Sequence, residues 1–428
     1  MSTTRALQIF QVQRLSAIIL TSVLFAKSGL PVTDIGAYEM LLYIGTMFTF
    51  LWVNGLLQGI PPVYAQLDET ARKRFIFNTF FVFCSLSALL FLLLVSTEKW
   101  AVPFLTGQPE LPHYTLFCIY LLFNVPSLPV EYIYLLREQP RHIVAWGGVA
   151  FGLQVAVFFI PLWMGMGMHV AFLMLAVLGG CKFLWTLFLV LRVAEIRIDF
   201  LLLRRYFVFS SPLIANLFVG NLILLFDNWL VGWYYEDTAV FAVFRYGSRE
   251  FPLATALATA LATAMIPRLS AEPEKGLTEM KDKTRRLMHL IFPLTILLLF
   301  VSKPLFPIIF NADFKSSAAL FNIYLLVTAS RLLLPNAIVL SRGFPAAILR
   351  VGIIELVIKV ILGFVLIHWF GLPGLAWSVV IAFLWEKCGL IWFLEKKQGV
   401  RTAEWLDIQW YTIYVLLLAA AFGVSIVL

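Results

Sequence analysis

Charged residues are scarce in this sequence of 428 amino acids: they make up 13% of it, against 61% hydrophobic residues. Soluble domains carry about 25% charged residues, so the composition excludes an ordinary soluble domain. Apolar runs of about 18 or more residues recur along the whole chain, and each can cross about 30 Å of hydrocarbon as a helix. The runs are continuous rather than alternating, which argues against a transmembrane β-barrel. We therefore expect a polytopic helical membrane protein.

Cysteine and histidine are also few, with four and five residues respectively. The cysteines fall within apolar segments at unrelated spacings, which predicts neither a metal site nor a disulfide framework. The histidines have no serine or cysteine partner at a useful spacing, and the chain has no Walker-type glycine loop. We therefore expect no catalytic residues, no bound metal and no cofactor, and we predict that the chain is not an enzyme.

The 32 lysines and arginines do not cluster as they would in a nucleic-acid-binding patch. Most of them are spread over every second loop between the predicted helices. By our count 21 of them lie in one set of loops, whereas the opposite set holds only four: Lys27, Lys99, Lys303 and Lys315. Positive loops mark the cytoplasmic side of a membrane protein. The bias predicts a cytoplasmic N-terminus and a C-terminus outside, and it gives no reason to expect a nucleic-acid partner.

Hydropathy predicts thirteen helices, at about 8–27, 38–60, 76–96, 113–135, 143–164, 168–191, 206–234, 238–266, 287–310, 318–341, 347–369, 374–394 and 408–428. A shift of 205 or 206 residues superimposes helix boundaries and four residue pairs: Pro61 with Pro267, Arg137 with Arg342, Ala171 with Ala376, and Lys182 with Lys387. Six helices separate equivalent points, which indicates two parallel repeats.

The repeat predicts a six-helix lobe over residues 1–200, a second six-helix lobe over 201–398 and an additional transmembrane helix over 399–428. For this last helix three interpretations remain: a packing accessory, the remnant of an extra hairpin, or one wall of a lipid-facing groove.

Seven cations lie inside predicted helices: Arg14, Lys182, Arg245, Arg249, Arg331, Lys359 and Lys387. Glu355 and Lys359 are spaced i,i+4, so we expect them to pair. Lys387 stands beside Glu386 near a cytoplasmic helix end, where lysine can extend to the membrane surface, and Lys182 lies at a comparable depth. For Arg331 the sequence leaves open a pair with Glu355 or a contact to substrate.

Ionisable residues at membrane depth normally face a protein interior or an aqueous cavity. Arg245 and Arg249 are one turn apart in predicted helix 238–266, so we expect them to share a face. One interpretation is a structural ion-pair network with Glu39 and Glu250. The other is a cationic lining, completed by Arg14, for an anionic group such as pyrophosphate.

The remaining candidate residues are polar or acidic. Four amides are candidates to face sugar hydroxyls: Asn54, Gln58, Asn216 and Asn221. Three acids are candidates for gating or ion coupling: Glu39, Asp227 and Glu250. For Asp227, about two turns from the outer end of its helix, an interfacial anchor competes with a proton or sodium site. Gly247 and Pro212 are candidate bending points.

The segment TDIGAYEMLLYIGTMFTFLWVNGLLQGIPPVYAQ resembles the signature of helices one and two in the multidrug/oligosaccharidyl-lipid/polysaccharide (MOP) exporter superfamily, of the polysaccharide biosynthesis and O-antigen flippase type. Gly36 and Tyr38 match its Gly-x-Tyr, and Asp227 and Pro267 match the signature of helices seven and eight. Gly371 and Gly374 match the opening of helix twelve. The resemblance covers about residues 5–400.

This resemblance implies an all-α polytopic membrane protein with two pseudo-symmetric six-helix bundles in a MATE-like V shape, plus one extra C-terminal transmembrane helix. It implies a flippase that moves undecaprenyl-pyrophosphate-linked oligosaccharide from the inner to the outer leaflet of the bacterial cytoplasmic membrane by alternating access. The implied partners are the lipid-linked anionic glycan, membrane lipids, a polysaccharide polymerase and glycosyltransferases. The alternatives are a multidrug/toxin antiporter of the same fold and a non-transporting scaffold or glycosyltransferase.

Overall fold

The computed structural model describes residues 3–427, apart from the side chains of residues 3, 4, 51, 216, 219, 220, 223 and 224. Every regular element in this described part is helical. The chain forms two compact units. Unit 1 comprises Met1–Asn221 and Gly232–Ala239, and unit 2 comprises Leu222–Val231 and Val240–Leu428.

Unit 1 contains helices α1 to α7 and part of α8. Their bounds are α1 Thr3–Lys27, α2 Val32–Ala65, α3 Glu69–Thr106, α4 Tyr114–Asn124, α5 Val130–Leu136, α6 Pro140–Trp163, α7 Gly167–Val193 and α8 Phe200–Tyr235. A 3₁₀ turn at Val125–Ser127 links α4 and α5 into one span. The Asp68 and Asp199 side chains accept backbone N–H bonds at the starts of α3 and α8, so the sequence itself sets these two boundaries.

Helix α8 is divided between the two units, since residues 222–231 belong to unit 2. Its first part is fixed within unit 1, where the Tyr206 hydroxyl donates to the Leu56 carbonyl at 2.8 Å. The side chain of Arg205 also donates to Gln66 Oε1 at 2.6 Å.

Apart from the first two residues of α9, unit 2 contains the remaining helices: α9 Thr238–Gly247, α10 Pro252–Ala271, α11 Pro273–Ile309, α12 Lys315–Leu325, α13 Val327–Arg331, α14 Pro335–Ser341, α15 Pro345–Gln398, α16 Thr402–Trp405 and α17 Ile408–Val427. Gly371 interrupts α15 with φ 63° and ψ −146°, a conformation that favours glycine. The 54 residues of α15 would extend about 80 Å as one helix, so the break separates two membrane-spanning segments.

Ten helical stretches among the described residues are long and apolar enough to cross a membrane, or eleven if the bent α2 counts as one span. This confirms the predicted all-α, multi-pass membrane protein. Predicted helices eleven and twelve are the two segments of α15. Predicted helix 238–266 is wrong as one helix, because residues 248–251 are not helical and separate α9 from α10. The predicted division at residues 200 and 398 stays a prediction.

The additional C-terminal helix α17 packs against α11. His289 and Tyr414 form a 2.8 Å hydrogen bond across this contact, and the Trp405 side chain just before α17 is fully buried. These contacts agree with the packing role considered for this helix.

Candidate functional site

A cavity of about 400 Å³ lies inside unit 1, between α1, α2, α4, α5, α6 and α7. We call it the unit 1 cavity. Its wall combines apolar side chains with nine polar or charged ones: Arg14, Thr46, Thr49, Asn54, Asn124, Ser127, Glu131, Gln154 and Lys182. Polar groups inside membrane helices are costly unless they serve the protein interior or an aqueous path. The cavity is therefore the strongest candidate site in unit 1.

Three charged residues line the unit 1 cavity. Arg14 is exposed at its edge and interacts electrostatically with Glu131 of α5, which is buried. Lys182 of α7 is also buried, with 7% of its surface exposed. Its Nζ donates to Gln154 Oε1 at 3.0 Å and to Asn124 Oδ1 at 3.3 Å. Two amides therefore hold the Lys182 ammonium group inside the unit.

The other residues predicted in unit 1 occupy different places. Asn54 lines the cavity and donates to the Phe50 carbonyl at 2.9 Å. Gln58, one turn further along α2, is exposed. Asn221 is buried and donates to the Leu217 carbonyl at 2.8 Å. Glu39 is buried in α2. The Asn216 side chain lies outside the described residues.

In unit 2, a break in the predicted eighth helix determines the positions of Arg245, Arg249 and Glu250. Helix α9 ends at Gly247, where a Cβ would lie 2.7 Å from the Ser317 carbonyl oxygen. Arg249 and Glu250 lie in the non-helical residues before Pro252. The predicted helical face shared by Arg245 and Arg249 is therefore wrong.

The two arginines have separate surroundings. Arg245 donates to Asn228 Oδ1 at 3.2 Å. The Arg249 guanidinium lies over the Tyr246 ring, 5.2 Å from its centroid.

Glu250 forms a two-point ion pair with Arg331, with both N–O distances at 2.7 Å. Thr255 donates a further hydrogen bond to this carboxylate at 3.2 Å, and the Arg331 guanidinium packs over the Phe383 ring at 4.4 Å. Of the two interpretations left open for Arg331, pairing with an acid is therefore observed, but the acid is Glu250. The fork of a guanidinium matches a carboxylate in this geometry.

Asp227 of α8 forms a buried ion pair with Lys359 of α15, at 2.7 Å. Lys359 Nζ also donates to Ser378 Oγ at 2.7 Å. The expected pair between Lys359 and Glu355 is therefore wrong, because the closer carboxylate comes from another helix. Asp227 is only 6% exposed, so its carboxylate is held within the protein by Lys359.

Lys387 of α15 is also buried and paired within unit 2. Its Nζ lies 2.7 Å from Glu386 Oε2 and donates to Asn336 Oδ1 at 3.2 Å. The Asn336 amide in turn donates to Glu386 Oε1 at 2.9 Å. Lys387, Asn336 and Arg331 line a second cavity, of about 230 Å³. Lys387 is therefore buried and paired with the neighbouring Glu386 rather than extended to the membrane surface.

Sequence reasoning missed the polar wall of the unit 1 cavity around Lys182. Asn124, Glu131 and Gln154 each interrupt an apolar segment, which is the same signal that identified Asp227 and Arg245. Within residues 3–427, no group of three or more histidine, cysteine or acidic side chains could hold a metal ion.

The profile of a family described as "Lipid II flippase MurJ" matches residues 121–428. The chain belongs to this family. Its members are transporters, so the chain is a membrane transporter and not an enzyme. Among curated proteins, none matches this sequence.

Solved structures show the same fold. The inward closed conformation of the lipid II flippase MurJ has a TM-score of 0.68 at 15% identity, with 97% of each chain covered. An inward-facing multidrug resistance MATE family transporter of the MOP superfamily has a TM-score of 0.63 at 13% identity, over 93% of this chain and 99% of that one. The bent form of the Vibrio cholerae MATE transporter VcmN has a TM-score of 0.55 at 14% identity, with 98% of each chain covered. The predicted MOP resemblance is confirmed.

Proposed function

We propose that this transporter moves an undecaprenyl-pyrophosphate-linked oligosaccharide from the inner to the outer leaflet of the bacterial cytoplasmic membrane, by alternating access. The observation that carries the proposal is membership of the lipid II flippase MurJ family over residues 121–428. Lipid II is therefore the first lipid-linked substrate to test. In this role the chain has its N-terminus in the cytoplasm and its C-terminus outside, and works beside glycosyltransferases and a polysaccharide polymerase.

The charges of the unit 1 cavity support an anionic substrate. Arg14 and Lys182 face one acid, Glu131, so the ionised side chains leave a net positive charge. A pyrophosphate group can accept hydrogen bonds from both cations. In unit 2, Arg245 and Arg249 are further candidates for contacts with the same group.

The polar residues complete the proposed pathway. Asn54, Gln58, Asn216 and Asn221 would face sugar hydroxyls. Glu39, Asp227 and Glu250 would act in gating or ion coupling. For Asp227 and Glu250, gating requires their ion pairs with Lys359 and Arg331 to open during the transport cycle.

A multidrug antiporter is the second candidate, favoured by the likeness to MATE transporters. Cationic drugs require an acidic binding site, however, and the unit 1 cavity holds two cations and one acid. An efflux assay with cationic drugs in a sensitised bacterial strain separates the two functions, and we expect no protection by this chain.

Complementation tests the proposed function. A bacterial strain depleted of its own lipid II flippase is expected to grow when it expresses this chain. The Arg249→Ala and Arg14→Ala variants should each fail to restore growth while remaining in the membrane at the wild-type level. Absence of rescue by the wild-type chain in the membrane would contradict lipid II transport. Full rescue by both variants would contradict their assignment to the substrate path.

A further inference from the structure

A groove of about 640 Å³ lies between α1 and α6 on the surface of unit 1. We call it the α1–α6 groove. Of its fourteen lining residues, seven have apolar side chains and three are glycines. The groove is open along α1, where Val12 is 62% exposed and Leu20 is 47% exposed. It therefore faces the hydrocarbon that surrounds a membrane-spanning helix.

Glycines of α6 create the space of the α1–α6 groove. At Gly147 the two helices touch, because a Cβ there would lie 2.7 Å from the Phe10 ring of α1. Small residues permit such close packing of membrane helices. At Gly152, further along α6, a Cβ would meet nothing within 4 Å. The helices are thus in contact at one glycine and leave a hollow beside the next.

The α1–α6 groove adjoins the unit 1 cavity. Phe151 of α6 lines both spaces, and on α1 Gln13 lines the groove while Arg14 lines the cavity. The rings of Phe151 and Phe10 pack together with their centroids 5.2 Å apart, and Phe10 also lines the cavity. A thin partition of α1 and two rings therefore separates a polar interior from an apolar groove at the surface.

The shape of the groove suits a long apolar chain. Its four polar residues all belong to α1: Arg5, Gln8, Gln13 and Ser16. The side formed by α6 is apolar throughout. Along α1 the groove extends from Arg5 to Leu20, a length of about 22 Å at the rise of an α-helix. That is most of the hydrocarbon thickness of about 30 Å.

We propose that the α1–α6 groove holds the polyprenyl chain of the lipid-linked substrate while the head group lies in the adjoining unit 1 cavity. The inference deepens the proposed function, on which it rests for the nature of the substrate. A phospholipid keeps its head group at the membrane surface, whereas the head group of a transported lipid has to enter the protein. Lipid tails are as apolar as the groove, so close packing has to supply the preference for the polyprenyl chain.

Photolabelling in proteoliposomes tests the occupant. The probe is a polyprenyl pyrophosphate of full length with a diazirine in its chain, and the comparison is a phospholipid with a diazirine in its acyl chain. We expect the probe to label α1 and α6 at the groove, and excess undecaprenyl pyrophosphate to suppress this labelling. Groove labelling by the phospholipid that undecaprenyl pyrophosphate does not reduce would assign the groove to bulk lipid and overturn the proposal.

Gly152→Leu fills the groove and supplies the matched variant. The new side chain has open space at its Cβ, and a helix favours leucine over glycine. We expect labelling of the groove by the polyprenyl probe to fall about 10-fold or more, because the packing surface for the chain is lost. The control is Gly423→Leu in α17, since Gly423 is exposed and its Cβ position is equally open. It should label as the wild type does.

A second variant keeps the test decisive if Gly152→Leu fails to fold. At Gly148 a Cβ would lie 3.4 Å from Gln13 Nε2, an ordinary contact, and Gly148→Leu should reduce labelling in the same way. Undiminished groove labelling in both folded variants would contradict the proposal. It would leave the proposed function standing, because that function is judged by growth of the depleted strain. Failed complementation with intact groove labelling would instead contradict lipid II transport and retain the polyprenyl site.

Discussion

Lys182 in unit 1 and Lys387 in unit 2 occupy equivalent positions of the repeat, yet their surroundings differ in charge. Lys387 is bonded to a carboxylate and an amide, whereas Lys182 is bonded to two amides. The buried lysine at this position is thus neutralised by a carboxylate of the protein in unit 2, whereas in unit 1 it has only neutral hydrogen-bond partners. We infer that the position is structural in unit 2 and is available for an anionic ligand in unit 1.

The wider charge distribution follows the same division. In unit 2 the cations Arg331, Lys359 and Lys387 are met by four acids: Asp227, Glu250, Glu355 and Glu386. The partly buried Arg245 and Arg249 of the same unit contact Asn228 and the Tyr246 ring. The unit 1 cavity has two cations for one acid. Removing a cation should therefore damage unit 2 more than unit 1, and the following substitutions test that difference.

The largest effect is expected for Lys359→Met. This change leaves the buried Asp227 carboxylate without its 2.7 Å partner, and breaking a buried ion pair costs about 3–5 kcal/mol. We expect a lower melting temperature in detergent and less folded protein in the membrane. The double variant Asp227→Asn with Lys359→Met removes both charges and should recover most of the stability. A single variant as stable as the wild type would contradict the structural role of this pair.

The next effect compares the two equivalent lysines directly. Lys387→Gln leaves Glu386 without its 2.7 Å partner and should cost about 1–3 kcal/mol, whereas Lys182→Gln leaves only neutral amides to be satisfied and should cost about 1 kcal/mol or less. Melting temperatures measured in the same detergent check the order. Equal losses would show that the two lysine sites are energetically alike and would remove the basis of the comparison.

The smallest effect concerns the attachment of α8 to unit 1. Tyr206→Phe removes the hydrogen bond from the buried hydroxyl to the Leu56 carbonyl, which is neutral at both ends and contributes about 1 kcal/mol. We expect a modest loss in melting temperature, well below that of Lys359→Met on the unit 2 side of the same helix. A loss as large as that of Lys359→Met would place the main anchor of α8 in unit 1 instead.

The membrane-spanning helices could be predicted from sequence because hydrocarbon thickness fixes their length and apolar composition. The break after Gly247 could have been found as well, since Pro252 is typical of the first position of a helix and disfavours a helical residue before it. Hydropathy does not reveal this break, because the apolar composition continues across both α9 and α10.

The ion pairs were predicted less well, because sequence spacing reveals only neighbours on one helix. Lys359 has Glu355 one turn away, but its closest carboxylate is that of Asp227, 132 residues earlier in the chain. Arg331 likewise pairs with Glu250, 81 residues away. The Lys182 site required three helices to bring Asn124, Gln154 and the lysine together, and no local pattern encodes that arrangement.

Transport of lipid II in proteoliposomes, by the wild type and by Gln154→Glu at equal protein content, tests the central claim most directly. If the excess charge of Lys182 holds the pyrophosphate group during transport, the carboxylate introduced by Gln154→Glu should neutralise that charge. The transport rate should then fall to about a tenth or less. The control Gln398→Glu, which adds the same charge at the C-terminal end of α15, should keep the wild-type rate. A wild-type rate for folded Gln154→Glu would contradict the claim that the unmatched cation of the unit 1 cavity serves the substrate.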